Sequence, residues 1–215
     1  MTTRRDGRTE AVCGSVVAVL LIALTSGVPV WASYLLLWTP LLIAALVAKC
    51  RTRSVVDNVA RIRFSITWMD LLVGAFVGLL LRVLVIFVEL LSVGNVTSSS
   101  SMFAVDHNLL WLATAIIAPA LFAPFVEELF FRGLVLPAIG VNRNGIVGSA
   151  MIFSALHLVY GFNIYTAVTT FIAGIVFAIL AVQTKRLGAG ITAHVIFNSS
   201  LIAMSELDGL QTVGG

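Results

Sequence analysis

Residues 123–135 read APFVEELFFRGLV, an apolar stretch interrupted by the adjacent carboxylates Glu127 and Glu128 and, four residues after the second, by Arg132. A charge near the middle of a bilayer costs at least about 2.5–3.5 kcal/mol on insertion scales, so each such residue needs a partner or a purpose. The surrounding chain makes the bilayer the relevant solvent. Of its 215 residues 60% are hydrophobic and 11% charged, whereas soluble domains carry about 25% charged residues. A helix needs roughly 20 residues to cross the hydrocarbon, and runs of about that length fall at 11–27, 29–48, 67–92, 110–138, 145–160, 164–183 and 187–205. The expected fold is all-α, a polytopic transmembrane bundle of about seven spans. Residues 1–66 supply N-terminal spans and a basic loop, 67–206 the core, and 207–215 a short tail.

The basic residues give the orientation. Arg4, Arg5 and Arg8 precede the first run; Lys49, Arg51, Arg53, Arg61 and Arg63 follow the second; Arg143 follows the fourth; Lys185 and Arg186 follow the sixth. All fall on one side, which the positive-inside rule makes cytosolic, while the 94–108 loop has no Lys or Arg. A net charge of +3 spread over span ends points to the lipid bilayer as partner and not to nucleic acid. The N-terminus resembles a secretory leader, with small residues at Ala32 and Ser33, yet the charge map favours a retained first span and a cytosolic N-terminus. Residues 51–64 suit either a short helix on an anionic leaflet or a basic connecting loop. Gly74 and Gly78 read as a helix-packing contact, and Trp68 and Trp111 as interfacial anchors. Arg82 and Glu89 read as a structural pair or as snorkelling side chains, Asp70 as interfacial, and His107 as solvated. Asn95-Val-Thr97 matches a glycosylation sequon, and Cys13 and Cys50 form no metal or disulfide pattern.

Helical spacing sorts the polar residues inside the runs. Glu128 and Arg132 lie one turn apart in the favourable acid-before-base order and can pair, while Glu127 points about 100° away. FSALH places His157 four residues after Phe153, and HVIFN places His194 and Asn198 on one face. Counted from the basic loops at about 1.5 Å per residue, the three runs carry Glu127, His157 and the His194–Asn198 pair to overlapping depths. That set can hydrolyse a peptide bond. Glu127 serves as general base, His157 orients the water, and His194 and Asn198 donate to the oxyanion. A zinc ion held by Glu127, His157 and His194, with water in the open position, is the competing arrangement, although no HExxH helix is present.

EELFFR, FSALH and HVIFN, in this order, resemble the three signature motifs of the CAAX-protease and bacteriocin-processing family, also called Abi, which includes the type II CAAX prenyl endopeptidases. The resemblance covers Glu127 to Asn198 and implies a helical intramembrane protease, described either as a metalloprotease or as glutamate-dependent without metal. It makes Glu127 the catalytic glutamate, His157 a water-activating histidine, and His194 and Asn198 the oxyanion pair, with Glu128 and Arg132 completing the first motif. Its substrate would be a membrane-anchored protein or peptide. Two other classes compete: a transporter or proton relay, and an immunity or interaction protein that has the fold without the activity.

Overall fold

The computed structural model describes residues 7–23, 30–52, 62–93, 112–159 and 164–213. Among them run seven helices: α1 Arg8–Ala23, α2 Val30–Thr52, α3 Trp68–Val93, α4 over residues 112–139, α5 Arg143–Val159, α6 Ile164–Thr184 and α7 Gly188–Val213. No strand occurs among the described residues, and the helices follow the seven apolar runs closely, except that α7 continues past the seventh run through most of the expected 207–215 tail, to Val213. Residues 53–61, Asn95–Thr97, His107 and Trp111 lie outside the described residues.

Among the described residues two helices, α3 and α6, are long and apolar enough to cross a membrane. Helix α3 turns Leu72, Phe76, Leu79, Val83 and Phe87 outward, each more than half exposed. A contiguous apolar face of that length is poorly suited to water and well suited to lipid. Its opposite face is built from glycine. A Cβ at Gly74 would stand 2.6 Å from the Ala189 carbonyl oxygen, and one at Gly78 would stand 2.5 Å from that of Ala193. The GxxxG spacing therefore brings α3 backbone to backbone against α7, as small residues do between membrane helices. Further along the pair, Arg82 clamps the two helices together. Its Nε donates to Ser200 Oγ at 3.1 Å and its Nη2 to the Phe197 carbonyl at 2.7 Å, with the guanidinium 4.1 Å above the Phe197 ring. Arg82 thus ties α3 to α7; the side chain of Glu89, its expected partner, lies outside the described residues.

Asp70, at the entry to α3, is 1% exposed and so is turned into protein and away from water. Thr67 and Asp70 form a capping box, in which the Thr67 N–H and Oγ1 both donate to Asp70 Oδ2 at 2.8 Å. Arg186 completes the cap by donating from Nε and Nη2 to the two carboxylate oxygens at 3.0 and 3.1 Å. The segment leading into α3 is extended at Arg63, which pairs in parallel with Arg186 just before α7. The tops of α3 and α7 are thus fixed to each other by backbone and by charge.

Helix α4 is not uniform. Residues Leu112–Phe122 and Phe131–Val135 are π-helical, and Ala123–Phe130 between them is α-helical. Prolines at 119 and 124 account for part of this, since each lacks an N–H and removes a helical hydrogen bond. Such π-turns recur at functional sites. Two apolar clusters flank the α-helical insert: one gathers Leu41, Val126, Phe130, Phe131 and Phe153, the other Leu81, Phe177, Ala193 and Phe197.

Candidate active site

The seam between the two clusters is where the charges sit. Glu128 and Arg132, one turn apart on α4, are both completely buried and form an ion pair with Arg132 Nη1 2.9 Å from Glu128 Oε1. Arg132 Nη2 donates to the Gly174 carbonyl on α6 at 2.9 Å. Its guanidinium lies among three rings, 4.8 Å from the Phe153 centroid, 5.5 Å from Phe177 and 5.8 Å from Phe131. Aromatic faces are the apolar surfaces best able to carry a cation, so the cage offsets part of the desolvation cost of the buried charge.

Glu128 Oε1 has a second neighbour. His194 Nδ1, on α7, donates to it at 3.1 Å. The imidazole stacks on Phe177 with centroids 4.7 Å apart and meets the Phe153 ring edge-on at 5.7 Å. With Nδ1 committed and the ring held on two aromatic faces, Nε2 points at Glu127 Oε2 across 3.7 Å. That gap is too long for a direct hydrogen bond and of the size at which a bridging water is the natural question. Glu127 is itself 8% exposed, and its other oxygen, Oε1, accepts from the indole Nε1 of Trp38 on α2 at 3.1 Å.

His157 enters through Phe153. Its Nδ1 donates to the Phe153 carbonyl one turn back at 2.9 Å, which leaves Nε2 as the ring's accepting nitrogen when the ring is neutral. Its ring lies 4.6 Å from the Phe153 ring, and the charges of Glu127, His194 and Arg132 all act on it. Asn198 reaches α4 from α7, where its Nδ2 donates to the Pro119 carbonyl at 3.0 Å. The reason is local. In a π-helical register the carbonyl of Pro119 would accept from the residue five later, and that residue is Pro124, which has no N–H to give. The asparagine supplies the missing donor with one of its two amide hydrogens and keeps the second.

Of the residues expected from sequence, Glu127, Glu128, Arg132 and His194 are therefore gathered directly, His157 joins them around Phe153, and Asn198 is anchored a turn further along α7. One expectation is refined. Glu128 does pair with Arg132, but His194 stands closer to Glu128 than to Glu127 and links the two carboxylates. Sequence reasoning passed over Trp38, whose only signal was an indole in mid-run, where its N–H must find an acceptor. It also passed over Phe153 and Phe177, which read as core.

A metal fits this arrangement poorly. Among the described residues no three His, Cys, Asp or Glu side chains are grouped so as to hold an ion. In the candidate zinc set of Glu127, His157 and His194 each histidine's Nδ1 is bonded to protein, so only the Nε2 side of each ring could meet an ion. No step is derived through a metal. An open groove of about 600 Å³ between α1 and α2, lined by Glu10, Cys13, Val17, Pro40 and Ile43 among others, is almost wholly apolar and contains none of the residues of this site.

Residues 109–200 match the family described as type II CAAX prenyl endopeptidase Rce1-like. No curated protein and no solved structure matches the chain. The matched segment contains Glu127, Glu128, Arg132, His157, His194 and Asn198, every site residue expected from the motifs. Residues 109–200 are therefore similar to the Rce1-like type II CAAX prenyl endopeptidase family, a description that implies a protease in general.

Proposed function

We propose that this protein is an intramembrane endopeptidase in which Glu127 activates water to hydrolyse a peptide bond of a membrane-anchored protein or peptide. The observation that carries this reading is the facing pair of Glu127 Oε2 and His194 Nε2, 3.7 Å apart between two largely buried side chains. A water at that gap donates one hydrogen to Glu127 Oε2 and has its second hydrogen left for another acceptor. As its oxygen attacks the scissile carbonyl carbon, Glu127 Oε2 takes one proton and the carbonyl π-electrons move onto oxygen. The second amide hydrogen of Asn198, and Nε2–H of His194 when its ring is protonated, are the donors available to that oxyanion. Collapse of the tetrahedral intermediate breaks the C–N bond, and Glu127 returns its proton to the leaving amine. His157 Nε2 accepts a hydrogen bond from the same water and orients it. Glu128 and Arg132 act from behind: they fix His194 through Nδ1 and set the tautomer that Nε2 presents.

The membrane setting is read as seven spans with the N-terminus cytosolic, and the substrate enters through its lipid anchor or its membrane-embedded segment. The family description favours a C-terminal CAAX-type segment as substrate.

The test is cleavage of a membrane-tethered farnesylated CAAX-type peptide by purified protein in detergent micelles. Glu127→Gln should lower kcat by roughly 10²–10⁴-fold, the range of general-base catalysis, with the thermal midpoint unchanged. Full activity in Glu127→Gln would overturn the mechanism. The same preparation dialysed against a chelator should keep its activity. Loss on dialysis with recovery on adding zinc would replace this account with a metal-based one.

A further inference from the structure

The two oxygens of Glu127 have different neighbours, and only one of them faces His194. Oε2 looks toward His194, whereas Oε1 accepts the indole N–H of Trp38 at 3.1 Å. Trp38 is 4% exposed and Glu127 8%, so this bond forms where water competes little and where a donor to a charged acceptor is strongest. The indole is itself fixed. Its ring meets Phe122 of α4 edge-on at 5.8 Å, and its helix packs against the α4 insert through Leu37 and Leu41.

A glutamate on a helix can rotate its carboxylate about its last side-chain bond and exchange its oxygens. A fixed donor on one oxygen removes that freedom and holds the other in one direction. Trp38 lies on α2, outside residues 109–200, so this contact brings a part of the chain beyond the matched domain into the site.

We propose that Trp38 is a positioning residue for the hydrolytic reaction: its indole N–H holds Glu127 Oε1 so that Oε2 stays aimed at the water. This rests on the reading of Glu127 as general base. The ordinary alternative is that Trp38 merely fills the core between α2 and α4.

The two are separated by replacing Trp38 with 3-benzothienylalanine, which keeps the shape of the indole and puts sulfur in place of N–H, in the full-length protein in detergent. Cleavage of the farnesylated CAAX-type peptide should lose roughly ten- to a hundredfold in kcat, the size expected for a hydrogen bond to a charged group, with KM and thermal midpoint unchanged. Trp38→Phe should lose at least as much kcat and also lower the midpoint, because it removes volume. An isostere with wild-type kcat, or one whose effect is confined to KM or to the midpoint, overturns the proposal. If the isostere is fully active while Glu127→Gln is dead, only the role of Trp38 falls. If Glu127→Gln is itself active, the hydrolytic reading falls and the positioning role with it.

Discussion

At the scale of single residues the site is organised around a completely buried cation. Arg132 has no exposure, one carboxylate at 2.9 Å, one carbonyl at 2.9 Å and three aromatic rings. A buried pair of this kind does not by itself argue for stability, but removing one member leaves the other charged and unpaired. Arg132→Leu should therefore destabilise the protein by about 3–5 kcal/mol, read as a drop in thermal midpoint in detergent. Arg132→Lys should not recover it, since a single ammonium cannot span Glu128 and the Gly174 carbonyl while lying flat against phenyl rings. A midpoint within a degree of wild type for either variant would show that Glu128 and His194 do not depend on Arg132. The pairing itself was readable in sequence, because four-residue spacing fixes Glu128 and Arg132 on one face. The aromatic cage was not, because Phe153 and Phe177 come from other helices and a phenylalanine in an apolar run looks the same whether it packs on leucine or on a guanidinium. The cap at Thr67-Trp68-Met69-Asp70 was legible as a T-x-x-D pattern, which placing Asp70 by its depth alone did not use.

At the scale of elements, the departures of α4 from α-helical geometry decide where Asn198 points. Pro124 cannot donate, Pro119 is left with a carbonyl to satisfy, and the asparagine of α7 satisfies it. Pro124→Ala restores an N–H to α4 and offers that carbonyl a partner in its own helix. The thermal midpoint should not fall, because a helix-breaking residue is replaced by the best helix former. Activity should fall instead, by about tenfold in kcat, because Asn198 loses the contact that orients its second amide hydrogen. Asn198→Ala in the Pro124→Ala background should then cost less than it does alone, since the two changes act on one contact. Additive losses would show that the proline-directed contact has no part in positioning Asn198. Apolar runs and charge positions revealed where α4 lies, and the prolines were visible in them. What they do to a carbonyl one helix away depends on the alignment of α4 with α7, which no local pattern encodes.

At the scale of the whole molecule, two apolar clusters and a glycine-seamed α3–α7 pair hold the site between them, and the outer face of α3 is left to lipid. The seven runs were legible because hydrophobic length is a property of the sequence alone. Their sidedness is a separate matter, and it rests on charge: Arg143, Lys185 and Arg186 lie in short connections after the fourth and sixth runs, while 94–108 carries neither Lys nor Arg. Within the described residues the Arg63–Arg186 pairing and the Asp70–Arg186 bonds put the entry to α3 and the α6–α7 connection on the same side, as the four crossings between them, α3 to α6, require. With Cys13 and Cys50 replaced by serine, a cysteine at Ser99 should then react with a membrane-impermeant maleimide added to intact cells. A cysteine at Asn144 should react only after the membrane is opened. Labelling of Asn144→Cys from outside would invert the bundle and place the site's basic rim away from the cytosol. Labelling of both positions from outside would mean an even number of crossings between 99 and 144, and α4 could not then be a single span carrying Glu127 through the bilayer.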